Sequence, residues 1–193
     1  MCGLIIQLPL PLQINTQEVL NAIALRIDVD CTGGTNGDLF YSGKALIEPP
    51  TALAICELLD SIGVDLANKK FLVVGQGQLV GKPVSFILKQ KGYTVDVADD
   101  KTENILDLMK QADVIISAAG KPKLITGEKI KPGAIIIDAG TAESDGGIVG
   151  DVDFESVRNV ASAISPVPGG VGPVTIAKLL QNVLKVAKEK NED

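Results

Sequence analysis

Short apolar runs of four to six residues alternate along the chain with segments of helical periodicity. The runs predict strands at Leu4–Leu8, Phe71–Val74, Thr94–Val97, Val114–Ala118, Ala134–Asp138 and Val160–Ile164. The periodic segments predict helices at Thr16–Arg26, Pro50–Ile62, Leu79–Lys91, Glu103–Lys110 and Val174–Lys188. Continuous apolar strands between helices are typical of a parallel sheet covered on both faces. We therefore predict an α/β fold built from βαβ units.

The predicted elements divide the chain into one complete and one partial domain. The strands from Phe71 to Ile164 suffice for a nucleotide-binding type of domain, which we place at residues 67–165. We expect residues 1–66 and 166–193 to form an incomplete second α/β domain, closed by the C-terminal helix. In it, Thr16 is predicted to cap the first helix and Gly63 to end the second. Residues 28–50, rich in Gly, Thr, Asn and Asp, predict a long functional loop.

Composition excludes several classes of function. The net charge of −6 argues against nucleic-acid binding, which needs basic surfaces. No apolar run approaches the ~20 residues of a membrane span. The chain has no histidine, which removes His-based triads and the usual zinc sites, so we expect no metal. Three scattered cysteines without CxxC spacing, and no visible signal peptide, predict the reducing cytoplasm.

A glycine-rich turn follows the predicted strand Phe71–Val74. Gly75, Gly77 and Gly81 have the spacing GxGxxxG between that strand and a helix. Glycines in this context permit a tight turn and the close approach of a pyrophosphate. The turn therefore predicts a Rossmann-like dinucleotide site.

Two acids, Asp99 and Asp100, come soon after the next strand. A carboxylate at this point typically hydrogen-bonds the ribose 2′-OH of NAD and repels the 2′-phosphate of NADP. The alternative is that the acids cap the helix that begins near Thr102 or Glu103. One acid could serve each purpose, and the sequence leaves the choice open.

Residues 165–175 contain three prolines and three glycines between a strand and a helix. Prolines fix φ, and glycines permit positive φ and the close approach of another molecule to the backbone. A plain connector seldom needs this composition. We interpret the segment as a loop that faces a ligand, with a tight connector as the alternative.

Several of these stretches, taken in order, resemble one family. The matching motifs are Gly3–Pro11 (GLIIQLPLP), Asp28–Asp30, Asn36–Leu39, Gly75–Pro83, Gly120–Pro122, Gly150–Asp153 and Ser165–Thr175. In these motifs the chain resembles the bifunctional methylenetetrahydrofolate dehydrogenase/methenyltetrahydrofolate cyclohydrolases. The resemblance covers nearly the whole chain. It implies a Rossmann-like sheet beside a folate-side domain.

The resemblance implies an activity and a site. The family oxidises a one-carbon unit on tetrahydrofolate by hydride transfer to NAD(P)+ and hydrolyses the methenyl product. By the matching motifs, Gln7 supports the catalytic lysine and Asp30 hydrogen-bonds the pterin. The loop residues Gly169, Gly170, Val171, Gly172 and Pro173 line the cleft. The dinucleotide is contacted by Gly75, Gln76, Gly77 and Thr141.

The departures from the family pattern modify these expectations. The helix that carries the family's catalytic lysine precedes the motif at Gly3–Pro11 and has no match here, which puts cyclohydrolase activity in doubt. Gln76 replaces the arginine that grips the NADP 2′-phosphate, and Asp99 and Asp100 replace His-Ser. Because losing an arginine and gaining acids both disfavour a 2′-phosphate, we predict NAD rather than NADP.

Three interpretations follow. The chain is an enzyme of this family with impaired activity, a non-catalytic dinucleotide-binding relative, or half of a split enzyme that needs a partner chain. The apolar face of the last helix and the first strand would pack against the unmatched region. We therefore expect a homodimer or a missing partner segment.

Overall fold

The computed structural model describes residues 2–144 and 146–189. These residues form two compact units, the first drawn from Met1–Pro50 and Thr175–Asp193, the second from Thr51–Val174. The domain limits predicted from the sequence, at residues 66–67 and 165–166, remain predictions.

The second unit contains a five-stranded parallel sheet. Its strands, in the spatial order β2-β1-β3-β4-β7, are β1 (Lys70–Val74), β2 (Thr94–Ala98), β3 (Val114–Ser117), β4 (Ile135–Asp138) and β7 (Ala163–Ile164). Between or beside them lie α3 (Pro50–Ser61), α4 (Gly81–Gln90), α5 (Ile105–Gln111) and α6 (Phe154–Val157). An antiparallel hairpin of β5 (Ala142–Ser144) and β6 (Gly147–Val149) follows β4. The parallel α/β sheet predicted from the apolar runs is confirmed.

The core of this unit is built on the sheet. Leu72, Ile115 and Ile136 stand in register on β1, β3 and β4, and each is at most 1% exposed. Met109 of α5 and Val157 of α6 belong to the same buried cluster. Full burial of one such side chain contributes about 1.5–3 kcal/mol. Every position of β3 and β4 is buried, and the first three residues of each strand are apolar, whereas the last, Ser117 or Asp138, is polar.

The first unit contains α1 (Thr16–Asn21), α2 (Gly34–Tyr41) and the part of α7 (Val171–Glu189) from Thr175 onward. Asn182 of α7 is fully buried, and its Nδ2 donates to the carbonyl oxygens of Val29 at 3.0 Å and Glu48 at 2.8 Å. These bonds hold the helix against two loop segments of the same unit.

The predictions for the N-terminal region were partly wrong. Instead of a strand at Leu4–Leu8, the structure has a single parallel bridge between Leu4 and Asp28. The helix predicted to reach Arg26 ends at Asn21, and a 3₁₀ turn follows at Leu25–Ile27. An isolated bridge leaves most of the segment without a neighbouring strand, so its apolar run does not produce a sheet.

The first helix is capped by Asn15 rather than Thr16. The Asn15 Oδ1 accepts from the backbone N–H groups of Gln17 at 3.1 Å and Glu18 at 3.3 Å. The Asn15 amide in turn donates to the Glu18 carboxylate at 2.8 Å, so Asn15 and Glu18 each accept a hydrogen bond from the other. Gly63, with φ +70°, follows α3 as predicted.

The segment 28–50 is not a continuous loop, because it contains α2. Its sequence has poor intrinsic helix propensity, but the buried carboxylate of Asp28 organises the start of the helix. Asp28 accepts from the Gly33 backbone N–H at 2.8 Å and from the Asn36 side chain at 2.9 Å. The structure also has two features that the sequence did not predict, the β5–β6 hairpin and α6, and β7 is shorter than expected.

Candidate functional site

A cavity of about 480 Å³ lies at the carboxyl ends of β1, β2 and β3. Its lining residues are Val74, Gly75, Gln76, Gly77, Asp99, Asp100, Thr102, Ile105, Ala118, Ala119, Lys121 and Leu124. Five of the residues predicted for a dinucleotide site are therefore brought together, namely Gly75, Gln76, Gly77, Asp99 and Asp100. In open α/β sheets, ligands bind at this edge of the strands.

The glycines of the GxGxxxG turn serve different purposes. Gly75 has φ +94°, and a Cβ there would collide with the carbonyl oxygen of Ala118. A Cβ on Gly81 would collide with the carbonyl oxygen of Gly75, so Gly81 is required for packing behind the turn. A Cβ on Gly77 would meet nothing within 4 Å. Gly77 thus leaves an open space on the cavity wall, as the approach of a ligand requires.

Gln76 folds back over its own turn. Its Nε2 donates to the Gly75 carbonyl at 3.0 Å and to the Ser85 hydroxyl at 3.4 Å. The Ser85 hydroxyl donates to the carbonyl of Gly81 at 2.7 Å. The Gln76 amide therefore links the turn to α4 and brings no charge to the cavity.

Asp99 and Asp100 have separate partners. Asp99 accepts from the backbone N–H of Lys101 at 2.9 Å and from the Thr102 hydroxyl at 3.1 Å, and these bonds lower its pKa. Asp99 therefore closes a turn, whereas α5 begins only at Ile105. Asp100 forms an ion pair with Lys121. Neither acid caps α5, and Asp100 is the one with a partner across the cavity.

The loop after β3 is held by a buried acid that sequence reasoning did not include among the site residues. The Asp151 carboxylate is fully buried and accepts from the Ser117 hydroxyl at 2.7 Å. It also accepts from the backbone N–H groups of Ala119 at 2.7 Å and Lys121 at 2.6 Å. In the sequence Asp151 is visible only as part of the motif Gly150–Asp153, because periodicity gives no sign of a loop anchor.

A second buried acid, Asp138, stands at the end of β4. Its carboxylate accepts from the backbone N–H groups of Gly140 at 2.9 Å, Asp151 at 3.1 Å and Val152 at 3.0 Å. Burial raises its pKa, although these hydrogen bonds oppose the shift. The two acids fix the segments that follow β3 and β4.

The remaining predicted residues of the second unit are placed differently. Thr141 is exposed and does not line the cavity described above. Gly169 has φ +106°, and α7 already begins at Val171, which is buried. Gly172 and Pro173 are exposed in the first turn of that helix. The loop is therefore shorter than the sequence indicated.

Gln7 and Asp30 lie in the first unit. Gln7 is exposed, and its amide donates to the Leu8 carbonyl at 3.2 Å. Asp30 is half-buried, and its pKa is raised by burial and by the neighbouring carboxylate of Asp28. Acids with a raised pKa are common at functional sites, which makes Asp30 a candidate functional residue.

Within residues 2–144 and 146–189, no group of three or more His, Cys, Asp or Glu side chains is placed to hold a metal ion. In the same part of the chain, no helix combines the length and the apolar character needed to cross a membrane.

An open parallel sheet with a glycine-rich cavity at the carboxyl ends of its strands defines the class of dinucleotide-binding α/β domains. Comparison with known proteins gives the family. The model described as tetrahydrofolate dehydrogenase/cyclohydrolase, NAD(P)-binding domain, matches residues 49–191. The chain belongs to this family.

Individual relatives cover almost the whole chain. The bifunctional protein FolD of Bordetella avium is 43% identical over 187 residues, which are 96% of this chain and 66% of that protein. The FolD crystal structure from Campylobacter jejuni has a TM-score of 0.91 and 40% identity, covering 97% of this chain and 67% of that one. That of Trypanosoma brucei, complexed with NADP cofactor and inhibitor, has a TM-score of 0.91 and 38% identity, covering 99% and 68%. The chain spans about two thirds of the length of these relatives.

Proposed function

We propose that this chain is the dinucleotide-binding part of a methylenetetrahydrofolate dehydrogenase/cyclohydrolase. The observation that carries the proposal is the cavity at the carboxyl ends of β1, β2 and β3, bounded by the glycine-rich turn. Membership of the family supports the folate chemistry. Because the chain spans two thirds of its relatives, the activity of the whole protein is part of the proposal.

The residues of the cavity fit a dinucleotide. Its volume of about 480 Å³ lies within the ~300–1,000 Å³ range of small-ligand sites. The open space at Gly77 and the adjoining start of α4 suit a pyrophosphate, which helix N-termini favour. We propose that Gly75, Gln76 and Gly77 hold the pyrophosphate region, with Gly81 supporting the turn and Thr141 contacting the same cofactor. When bound, NAD(P)+ would supply the hydride acceptor.

We propose that NAD is preferred to NADP. Gln76 brings no positive charge, and Asp99 and Asp100 place two carboxylates at the cavity. A 2′-phosphate beside them would be repelled, whereas a ribose 2′-OH can donate to a carboxylate. The Trypanosoma brucei relative is complexed with NADP, and our proposal for this chain rests on its own residues Gln76, Asp99 and Asp100.

On the folate side we propose Asp30 and Gln7 as the contacts, with residues 169–173 lining the cleft. The raised pKa of Asp30 supports a role for its carboxyl group in binding. Hydrolysis of the methenyl product depends on a lysine for which these 193 residues offer no counterpart. We therefore expect these residues alone to leave methenyl hydrolysis at the background rate.

Calorimetric titration with NAD+ and NADP+ and a spectrophotometric assay of methylenetetrahydrofolate oxidation test the proposal. Gly77→Ala adds a methyl group to the cavity wall, and overpacking costs about 1–3 kcal/mol, or roughly 5- to 150-fold in affinity. Gly37→Ala is the matched control, because its Cβ would also meet nothing within 4 Å. Failure to bind either dinucleotide would refute the proposal. Binding without turnover would favour a non-catalytic relative.

A second proposal concerns partners. Ile176, Leu180 and Leu184 form a stripe at four-residue intervals on α7 and are 62%, 59% and 60% exposed. Apolar patches of this kind usually contact another protein surface. We propose that a second copy or a separate segment covers the stripe, as in a homodimer or a split enzyme. A concentration-independent monomer in sedimentation, with normal catalytic turnover, would contradict this.

A further inference from the structure

The ion pair between Asp100 and Lys121 crosses the cavity. Asp100 follows β2 and Lys121 follows β3, while β1 lies between these two strands in the sheet. Neighbouring strands are about 4.8 Å apart, so the pair spans two strand spacings above the end of β1. That strand leads directly into the glycine-rich turn, whose residues line the same cavity.

The two ends of this pair are held differently. The backbone N–H of Lys121 donates to the buried Asp151 carboxylate at 2.6 Å, which fixes the base of the lysine side chain. The side chains themselves are exposed, 54% for Lys121 and 78% for Asp100. Exposed ion pairs contribute little net stability, so the ammonium group can exchange one anionic partner for another.

Lys121 also has a distinctive charge at this site. Among the described residues that line the cavity, it carries the only positive charge, and both negative charges lie after β2. A 2′-phosphate on a dinucleotide would be placed near the end of β2. A lysine is a suitable phosphate partner because its ammonium carries a compact charge and three donors.

We propose that Lys121 is the residue that binds a 2′-phosphate in this pocket, and that Asp100 favours NAD over NADP by forming an ion pair with Lys121. The inference deepens the proposed function and rests on it. With a 2′-OH present, Asp100 can accept from the ribose. With a 2′-phosphate present, Lys121 must leave Asp100, and the carboxylate remains as a nearby like charge.

A double-mutant cycle tests this assignment, with NAD+, NADP+, 5′-AMP and 2′,5′-ADP as probes in calorimetry. Asp100→Asn should tighten NADP+ and 2′,5′-ADP by roughly tenfold, the scale of one charge-assisted contact. Lys121→Gln should weaken those two ligands by about tenfold and leave NAD+ and 5′-AMP within about twofold. The gain from Asp100→Asn should be smaller in the Lys121→Gln background, because only the relief of like-charge repulsion remains once the lysine is absent. Raising the salt concentration should reduce the gain.

The matched control is Asp60→Asn, which removes one negative charge from the ion pair that Asp60 makes with Lys91 at 3.4 Å, in the same unit and outside the cavity lining. Its ratio of NADP+ to NAD+ affinity should not change. If Lys121→Gln weakened all four ligands equally, or weakened none of them, the inference would be overturned. The proposed function would still stand in that case, provided that the unaltered protein binds NAD+. Failure of the unaltered protein to bind any dinucleotide would overturn both.

Discussion

Replacing Asp151 by asparagine tests the claim that one buried acid holds the cavity wall. The two side chains are nearly the same size, so the substitution changes hydrogen bonding and charge with little change in volume. One Asp151 oxygen accepts from Ser117 and Ala119, and the other accepts from Lys121. An asparagine offers an acceptor on one side only, and its NH₂ group must face a donor on the other side.

The expected cost follows from the better orientation of the amide. With the oxygen toward Ser117 and Ala119, the backbone N–H of Lys121 loses its acceptor. A fully buried donor left unpaired costs about 1–3 kcal/mol, and the Lys121 N–H belongs at the lower end because its bond to Asp151 is only partly buried. The bonds that remain lose their charge assistance. We therefore expect a loss of about 1–3 kcal/mol in the free energy of unfolding.

Urea denaturation followed by circular dichroism measures this loss, and hydrogen exchange at Ala119 and Lys121 locates it. The transition midpoint should fall, and both amides should exchange faster in Asp151→Asn. Asp60→Asn, at an exposed site, should stay within about 0.5 kcal/mol of the unaltered protein. If Asp151→Asn were equally mild and its amides stayed protected, the anchoring role assigned to Asp151 would be incorrect.

Three other predictions concern the turn, the folate-side acid and the thiols. Gly81→Ala should destabilise the protein by several kcal/mol or prevent folding, because its Cβ would collide with the Gly75 carbonyl; a soluble variant with normal thermal stability would contradict this. The pKa of Asp30 in the folded state is raised above 3.8, so the folded protein binds this proton more tightly than the unfolded chain does. Asp30 therefore stabilises the folded state below pH 3.8, and this contribution is lost as the pH rises through the folded-state pKa. Asp30→Asn should therefore match the unaltered protein near pH 3 and be more stable at pH 7, as pH-dependent urea denaturation can check. Burial raises the pKa of Cys31 to about 12, whereas Cys2 is exposed, so iodoacetamide at pH 8 should modify Cys2 first, and mass spectrometry showing the reverse order would refute this.

Strands that are buried on both faces could be predicted from the sequence. The runs around Leu72, Ile115 and Ile136 gave β1, β3 and β4 because every position faces the core. The run beginning at Leu4 looked similar but makes only one bridge, since hydrophobicity does not specify a neighbouring strand. The helix α2 was missed because its start depends on the Asp28 carboxylate, which acts across a turn and outweighs local propensity.

The candidate site shows the same division between local and long-range information. Gly75, Gly77 and the two acids after β2 could be predicted, because strand order places the ends of neighbouring strands together. The ion pair of Asp100 with Lys121 could not be predicted, since it depends on β1 lying between β2 and β3. The anchoring of the Lys121 backbone by Asp151 joins residues thirty positions apart and has no periodic signal.

The most direct test of the account is hydrogen exchange of the protein with and without saturating NAD+. If NAD+ binds in the cavity, exchange should be slower in residues 75–81, 98–102 and 118–121, which form or adjoin it, and should change little in α2 of the first unit. No binding, or protection confined to residues outside those three segments, would contradict the assignment of the cavity as a dinucleotide site.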